Sequence, residues 1–122
     1  MTVQEAIDRV DKLRPNQYDT ETKVRWLSDL DGMIFREVIL THEHPFHMVF
    51  DGHGCPDDEL LVKEPYAGDI YNYYLQMQID KENAEYKRYN QSVTMYNNAF
   101  QTFQNWYNRT HRPLPTRAHF VY

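Results

Sequence analysis

Residues 69 to 110 contain neither glycine nor proline, in a chain of 122 residues that otherwise uses both as punctuation. Along this stretch an apolar seam advances by fours and threes through Leu75, Ile79, Glu82, Tyr86, Tyr89, Val93, Tyr96, Phe100, Phe103 and Tyr107. That spacing keeps the marked positions on one face of a helix, so the segment has to be helical. A single helix of this length would run roughly 60 Å at ~1.5 Å per residue, too long to bury against the rest of so short a chain. The polar run Asp80-Lys81-Glu82-Asn83 interrupts a second stripe of Ile70, Tyr73, Tyr74 and Met77. A break there predicts two helices, over about 67 to 81 and 84 to 109.

Two more helices precede them. Thr2 and Glu5 have capping-box spacing, and Val3, Ala6, Ile7, Val10 and Leu13 recur at one-face intervals, predicting a helix over 3 to 14 that Pro15 ends. Asp19 or Thr20 is placed to cap a helix over 20 to 41, with Val24, Leu27, Leu30, Ile34 and Val38 on one face and Trp26, Met33 and Phe35 widening it. From 42 to 65 the helical period gives way to Pro45, Gly52, Gly54, Pro56 and Pro65. Two short apolar runs, 46 to 50 and 60 to 62, permit a β-hairpin. After 110, Pro113 and Pro115 impose an extended tail ending in Phe120-Val121-Tyr122. The expected fold is mainly α: one helical domain over 1–110 with an irregular loop or hairpin at 42–65, and an extended tail over 111–122. The expected core is Val10, Leu13, Leu27, Leu30, Ile34, Ile79, Tyr96, Phe100 and Phe103.

Composition narrows the function. A mean hydropathy of −0.81 argues against a membrane protein. A formal charge of −5 supplies no global field for phosphate backbones. Residues 111 to 122 are the least acidic part, at +2 against −7 for the remainder. One cysteine permits no internal disulfide, and the first residues lack the basic and apolar regions of a signal peptide, so a reducing cytoplasm is expected.

The sharpest chemical candidate is His42, Glu43, His44, His47, His53 and Cys55, all capable of binding a metal. Their spacing matches no helical zincin pattern, and a single thiolate is fewer than structural zinc modules use, so no metal, cofactor or catalytic residue is assigned. A metal-dependent enzyme using this loop is the third hypothesis. Asp51, Asp57, Asp58 and Glu59 lack the ligand alternation of an EF-hand, and Cys55 has no base at fixed spacing. Residues 66 to 107 interleave aromatics with Asp69, Asp80, Glu82 and Glu85, which suits a core or subunit interface better than base stacking. Candidate interface residues are Tyr73, Tyr74, Met77, Trp106, Arg112, Arg117, Phe120 and Tyr122.

The layout resembles the small head-tail connector, or head-completion adaptor, proteins of tailed bacteriophages. The likeness lies in a short amphipathic first helix, the segment Arg14-Pro15-Asn16-Gln17-Tyr18 leading to Lys23-Val24-Arg25-Trp26-Leu27, and the Leu60-Leu61-Val62-Lys63-Glu64-Pro65-Tyr66 entry to a third helix. A Tyr-rich helix pair ending in Asn105-Trp106-Tyr107-Asn108-Arg109 follows, then the tail. The resemblance implies a non-enzymatic virion assembly protein, present in the host cytoplasm during assembly and in the virion neck afterwards. It would form a ring on the portal protein, offer a platform for other neck or tail proteins, and let DNA pass without specific binding. An acidic body suits such a channel, and a ring needs two different patches per subunit. An intracellular helical adaptor unrelated to virions is the alternative.

Overall fold

A computed structural model describes residues 1–44 and 48–114. The described residues form four α-helices, α1 (Val3–Leu13), α2 (Thr20–Ile34), α3 (Ala67–Glu82) and α4 (Tyr86–Thr110), with a π-helical turn, Phe35–Ile39, appended to α2. The protein is therefore mainly helical, as the periodicity requires.

Both early helices start where their caps dictate. The Thr2 side chain accepts from the Glu5 N–H, and the Glu5 carboxylate accepts from the Thr2 N–H at 2.9 Å. This backbone bond is the main reason the Glu5 carboxyl stays below its ordinary range. Two more first-turn N–H groups, those of Val3 and Gln4, donate to the Asp58 and Pro56 carbonyls. The first turn of α1 is thus satisfied partly by a distant loop. Asp19 caps α2 by accepting from the Thr22 N–H at 2.8 Å.

The core is built around α3, which packs against each of the other helices. Its Ala67, Ile70, Tyr71, Leu75 and Ile79 are fully buried and meet Val3, Ile7 and Val10 of α1, Leu27, Leu30 and Ile34 of α2, and Phe103 and Tyr107 of α4. The helix pair α3 and α4 doubles back at Asn83–Glu85, where Ala84 adopts a left-handed φ of 56°.

Several expectations are corrected. The second helix does not continue regularly to 41: after Ile34 it widens into the π turn, closed by the Leu40 N–H donating to the Phe35 carbonyl at 2.9 Å. The extra residue in this turn brings Phe35, Val38 and Ile39 inward together. No β-hairpin joins the two apolar runs among the described residues, and Phe46 and His47 lie outside them. Leu60 instead pairs with the N-terminus, its N–H donating to the Met1 carbonyl, and Leu60 and Val62 are buried there. Leu13 is 59% exposed. The next residue, Arg14, takes the inward direction, and Leu13 shares the open face of Arg9 and Lys12. Glu82 and Tyr86 leave the seam because they flank the turn between α3 and α4; Tyr86 is 71% exposed. Tyr96 and Phe100 are half-buried.

The tail is anchored at its root. The Glu43 N–H donates to the Arg112 carbonyl and the Leu114 N–H to the Thr41 carbonyl, each at 2.8 Å, around an antiparallel bridge between His42 and Pro113. The tail therefore does not begin as a detached segment at residue 111. Ending the chain at residue 111 is expected to lower stability by about 1–3 kcal/mol, the worth of two backbone hydrogen bonds with their packing. Thermal unfolding of the truncated chain checks this, and an unchanged transition would mean that the pairing contributes nothing.

Candidate interaction surface

Among the described residues, the ionisable side chains that are most deeply placed tie elements together. Asp31 is fully buried and accepts three hydrogen bonds: from His53 Nε2 at 2.6 Å, the Leu61 N–H at 3.0 Å and the Tyr71 hydroxyl at 2.5 Å. The Tyr71 oxygen in turn accepts from the Val62 N–H. Burial, reinforced by the Asp31 charge, pushes the Tyr71 hydroxyl well above its ordinary range, so it remains a neutral donor. Gly52 makes the loop's approach possible. Its φ of 100° is a glycine conformation, and a Cβ there would stand 2.9 Å from Ser28 Oγ, the atom that accepts from the His53 N–H.

A second knot centres on Asp80, also fully buried. It takes Arg14 on one oxygen and the Ser92 hydroxyl, at 2.7 Å, on the other, joining the end of α1 to both helices of the hairpin. Lys23 reaches Asp11 at 2.6 Å between α1 and α2. Every buried side-chain nitrogen or oxygen among the described residues has a partner. The His53 side chain is 4% exposed and the Asp31 and Tyr71 side chains are sealed, so no reacting atom faces a cleft.

The histidine-rich loop is drawn apart by the same contacts. His42 is buried, with Nδ1 on the Val38 carbonyl and Nε2 on Asn108 Oδ1, both at 2.7 Å. His44 bonds the His42 carbonyl, His53 goes to Asp31, and Cys55 is exposed. His47 lies outside the described residues. Among the described residues no three His, Cys, Asp or Glu side chains are grouped to hold a metal ion.

Aromatic side chains dominate the remaining features. Near the end of α4, Trp106 lies 5.1 Å from Tyr66 between ring centroids, Tyr107 stacks on His111 at 3.9 Å, and His42 meets Tyr107 edge-on at 4.9 Å. Beside them is a cleft of about 270 Å³ lined by Ile34, Ile39, Leu61, Phe103, Trp106 and Tyr107, with Lys63 and Glu43 among its polar lining. Of the expected interface residues, Tyr73 is half-buried and lines a shallow hollow with Tyr66, Asp69 and Met95. Tyr74 packs on Tyr96, 5.5 Å between centroids, inside the α3–α4 contact. Met77 is half-buried and Arg112 exposed. Arg117, Phe120 and Tyr122 lie outside the described residues.

Desolvation raises the hydroxyls of Tyr74, Tyr96 and Tyr107, keeping this aromatic material neutral. Asp31 and Tyr71 are the residues that composition and motif spacing pass over; His53 stands out only as a metal-ligand candidate and Asp80 only as part of a polar break. For Asp31 one signal exists, since it stands four residues after Leu27 and three before Ile34, an acid on an apolar face. Among the described residues no helix is long and apolar enough to cross a membrane. Comparison with protein-family models, curated proteins and solved structures finds no match, so any functional reading rests on this chain's own residues.

Proposed function

We propose that this chain is a non-enzymatic assembly protein, a head-tail connector of a tailed-phage virion that assembles in a ring below the portal and carries the tail. One observation supports an assembly role above the others: α4 is 25 residues long but buries only Ser92, Phe103 and Tyr107, leaving open a long face of Asn, Gln and Thr with Tyr86 and Met95. Between residues 89 and 108 that face carries no formal charge, so little desolvation of charge opposes its burial in an interface. The sealed state of the two carboxylate knots supports a structural rather than a chemical use of the chain's acids. The likeness to connector layouts supplies the virion context, with portal protein and other neck or tail proteins as partners.

The test is binding to assembled portal rings. The purified chain should co-sediment with portal oligomers at a fixed ratio, and its coding sequence should lie among portal, terminase and tail genes. A folded chain that ignores portal rings in both the presence and absence of neck proteins would overturn the virion reading. Association with an unrelated cellular protein would then favour the adaptor alternative.

A further inference from the structure

All 18 acidic residues of the chain precede Tyr86, whereas residues 86 to 122 carry five basic residues and none acidic. With eight Lys or Arg before it, the first part therefore has a formal charge of −10 and the second of +5. The acids that alternate with aromatics along residues 66 to 107 all belong to α3 and the turn after it.

On α4 the exposed positions are Tyr, Lys, Arg, Asn, Gln, Thr and Met, and its cations sit at its two ends, Lys87 and Arg88 at the start and Arg109 at the finish. Between them, residues 89 to 108 carry no formal charge. Three cations at the ends of a neutral helix neutralise few phosphates, so this is a poor nucleic-acid face. Depletion of Lys, Asp and Glu, with exposed Tyr86 and Met95, is the composition of a protein interface.

The complementary surface lies on the same chain. Loop residues 51 to 59 hold Asp51, Asp57, Asp58 and Glu59 with no Lys or Arg; Glu59 faces the Met1 ammonium at 3.3 Å and Asp58 accepts from the Gly54 and Cys55 N–H groups, while Asp51 and Asp57 are exposed. This loop is bonded to the start of α1 through Asp58 and Pro56 and to α2 through His53. The α4 helix packs mainly on α3, and among the described residues no hydrogen bond or ion pair joins loop 51–59 to α4, so the two surfaces are not paired within one molecule.

We propose that the outer face of α4 docks on the acidic loop 51–59 of a second copy of this chain, in a head-to-tail contact. Because the two patches differ, each copy offers one and receives the other, and repetition closes a ring or grows a filament. Opposite charge sets the direction and speeds encounter, while the neutral centre of α4 supplies the buried area. The inference deepens the assembly reading and rests on it for its purpose, but its test is separate.

Sedimentation velocity of the full chain at high concentration should show association in low salt. Association should retreat toward monomer at ~1 M salt, where the Debye length is ~3 Å. Lys87→Glu/Arg88→Glu should weaken association at least about tenfold, ~1.4 kcal/mol, and Asp51→Lys/Asp57→Lys should do the same. All four positions are exposed, and unchanged thermal unfolding of each variant verifies that it is folded. Mixed together, the two variants should associate in equal proportion, since the intact α4 of one meets the intact loop of the other and their altered faces carry opposite charge as well. A wild-type chain that stays monomeric, or a mixture that does not recover, overturns the proposal. So does a chain that stays monomeric yet binds a short DNA duplex through Lys87 and Arg88. A monomeric chain that still binds portal rings would overturn this contact while leaving the assembly reading intact.

Discussion

Replacing Asp31 with alanine is expected to lower the unfolding free energy by about 3–5 kcal/mol, the usual cost of removing one member of a buried charged hydrogen-bond network. The substitution orphans three donors at once: the His53 ring, the Leu61 N–H and the buried Tyr71 hydroxyl. A small domain holds only ~5–15 kcal/mol in total, so the variant should sit near the edge of unfolding. Urea titration against the wild-type chain measures the loss, and a value below about 1 kcal/mol would show that the knot does not hold the loop. Tyr71→Phe should cost less, about 1–3 kcal/mol, since Asp31 keeps two donors and only the Val62 N–H loses its acceptor. The two variants also differ with pH. Tyr71 holds its proton well above the ordinary value of 10.0, so its stabilisation is complete below pH 10.0 and is lost as pH rises beyond it. Tyr71→Phe should remove that alkaline limb.

Truncating Phe103 to alanine is expected to cost about 3–5 kcal/mol, and truncating Phe100 only about 1–2 kcal/mol. Both lie on the apolar seam of α4, three residues apart, and periodicity alone assigns both to the core. Phe103 is buried among Tyr66, Trp106 and Tyr107, whereas Phe100 keeps part of its ring in water. Equal urea m-values for both variants would show that the difference lies in the folded state. A larger loss at Phe100 than at Phe103 would mean that α4 is rotated relative to α3.

Helix existence was legible because its causes are local. The Thr2–Glu5 box, the Asp19 cap and a Gly- and Pro-free aromatic seam act over three to five residues, and each produces a helix within a residue or two of where spacing puts it. The second helix shows the limit of that logic. Its apolar period runs on past Ile34, but the π turn there is stabilised by the packing of Phe35, Val38 and Ile39 against the core. The Leu60–Val62 run likewise has strand-like residues, yet finds its partner in the Met1 carbonyl rather than in a neighbouring strand.

The candidate surface divides the same way. Tyr73, Trp106 and Arg112 are recognisable by type and position, but Tyr74, which shares their pattern, is taken up by Tyr96 within the molecule. The charge bias along the chain is legible in the sequence, but only the fold bonds the acidic loop to α1 and α2 while α4 packs on α3.

By itself the sequence determined the helical class, the caps, the break between α3 and α4, and the concentration of all its acids before residue 86. The tertiary structure alone decided which polar groups would be buried. Asp31 meets His53 across 22 residues, and Asp80 meets Arg14 across 66. A carboxylate can leave water only if donors replace that water, and no local pattern specifies donors so far away. Burial of Asp31 and Asp80, exposure of Leu13 and the anchoring of residues 112–114 on 41–43 are therefore consequences of packing, where each polar group's fate depends on what distant chain is brought to it.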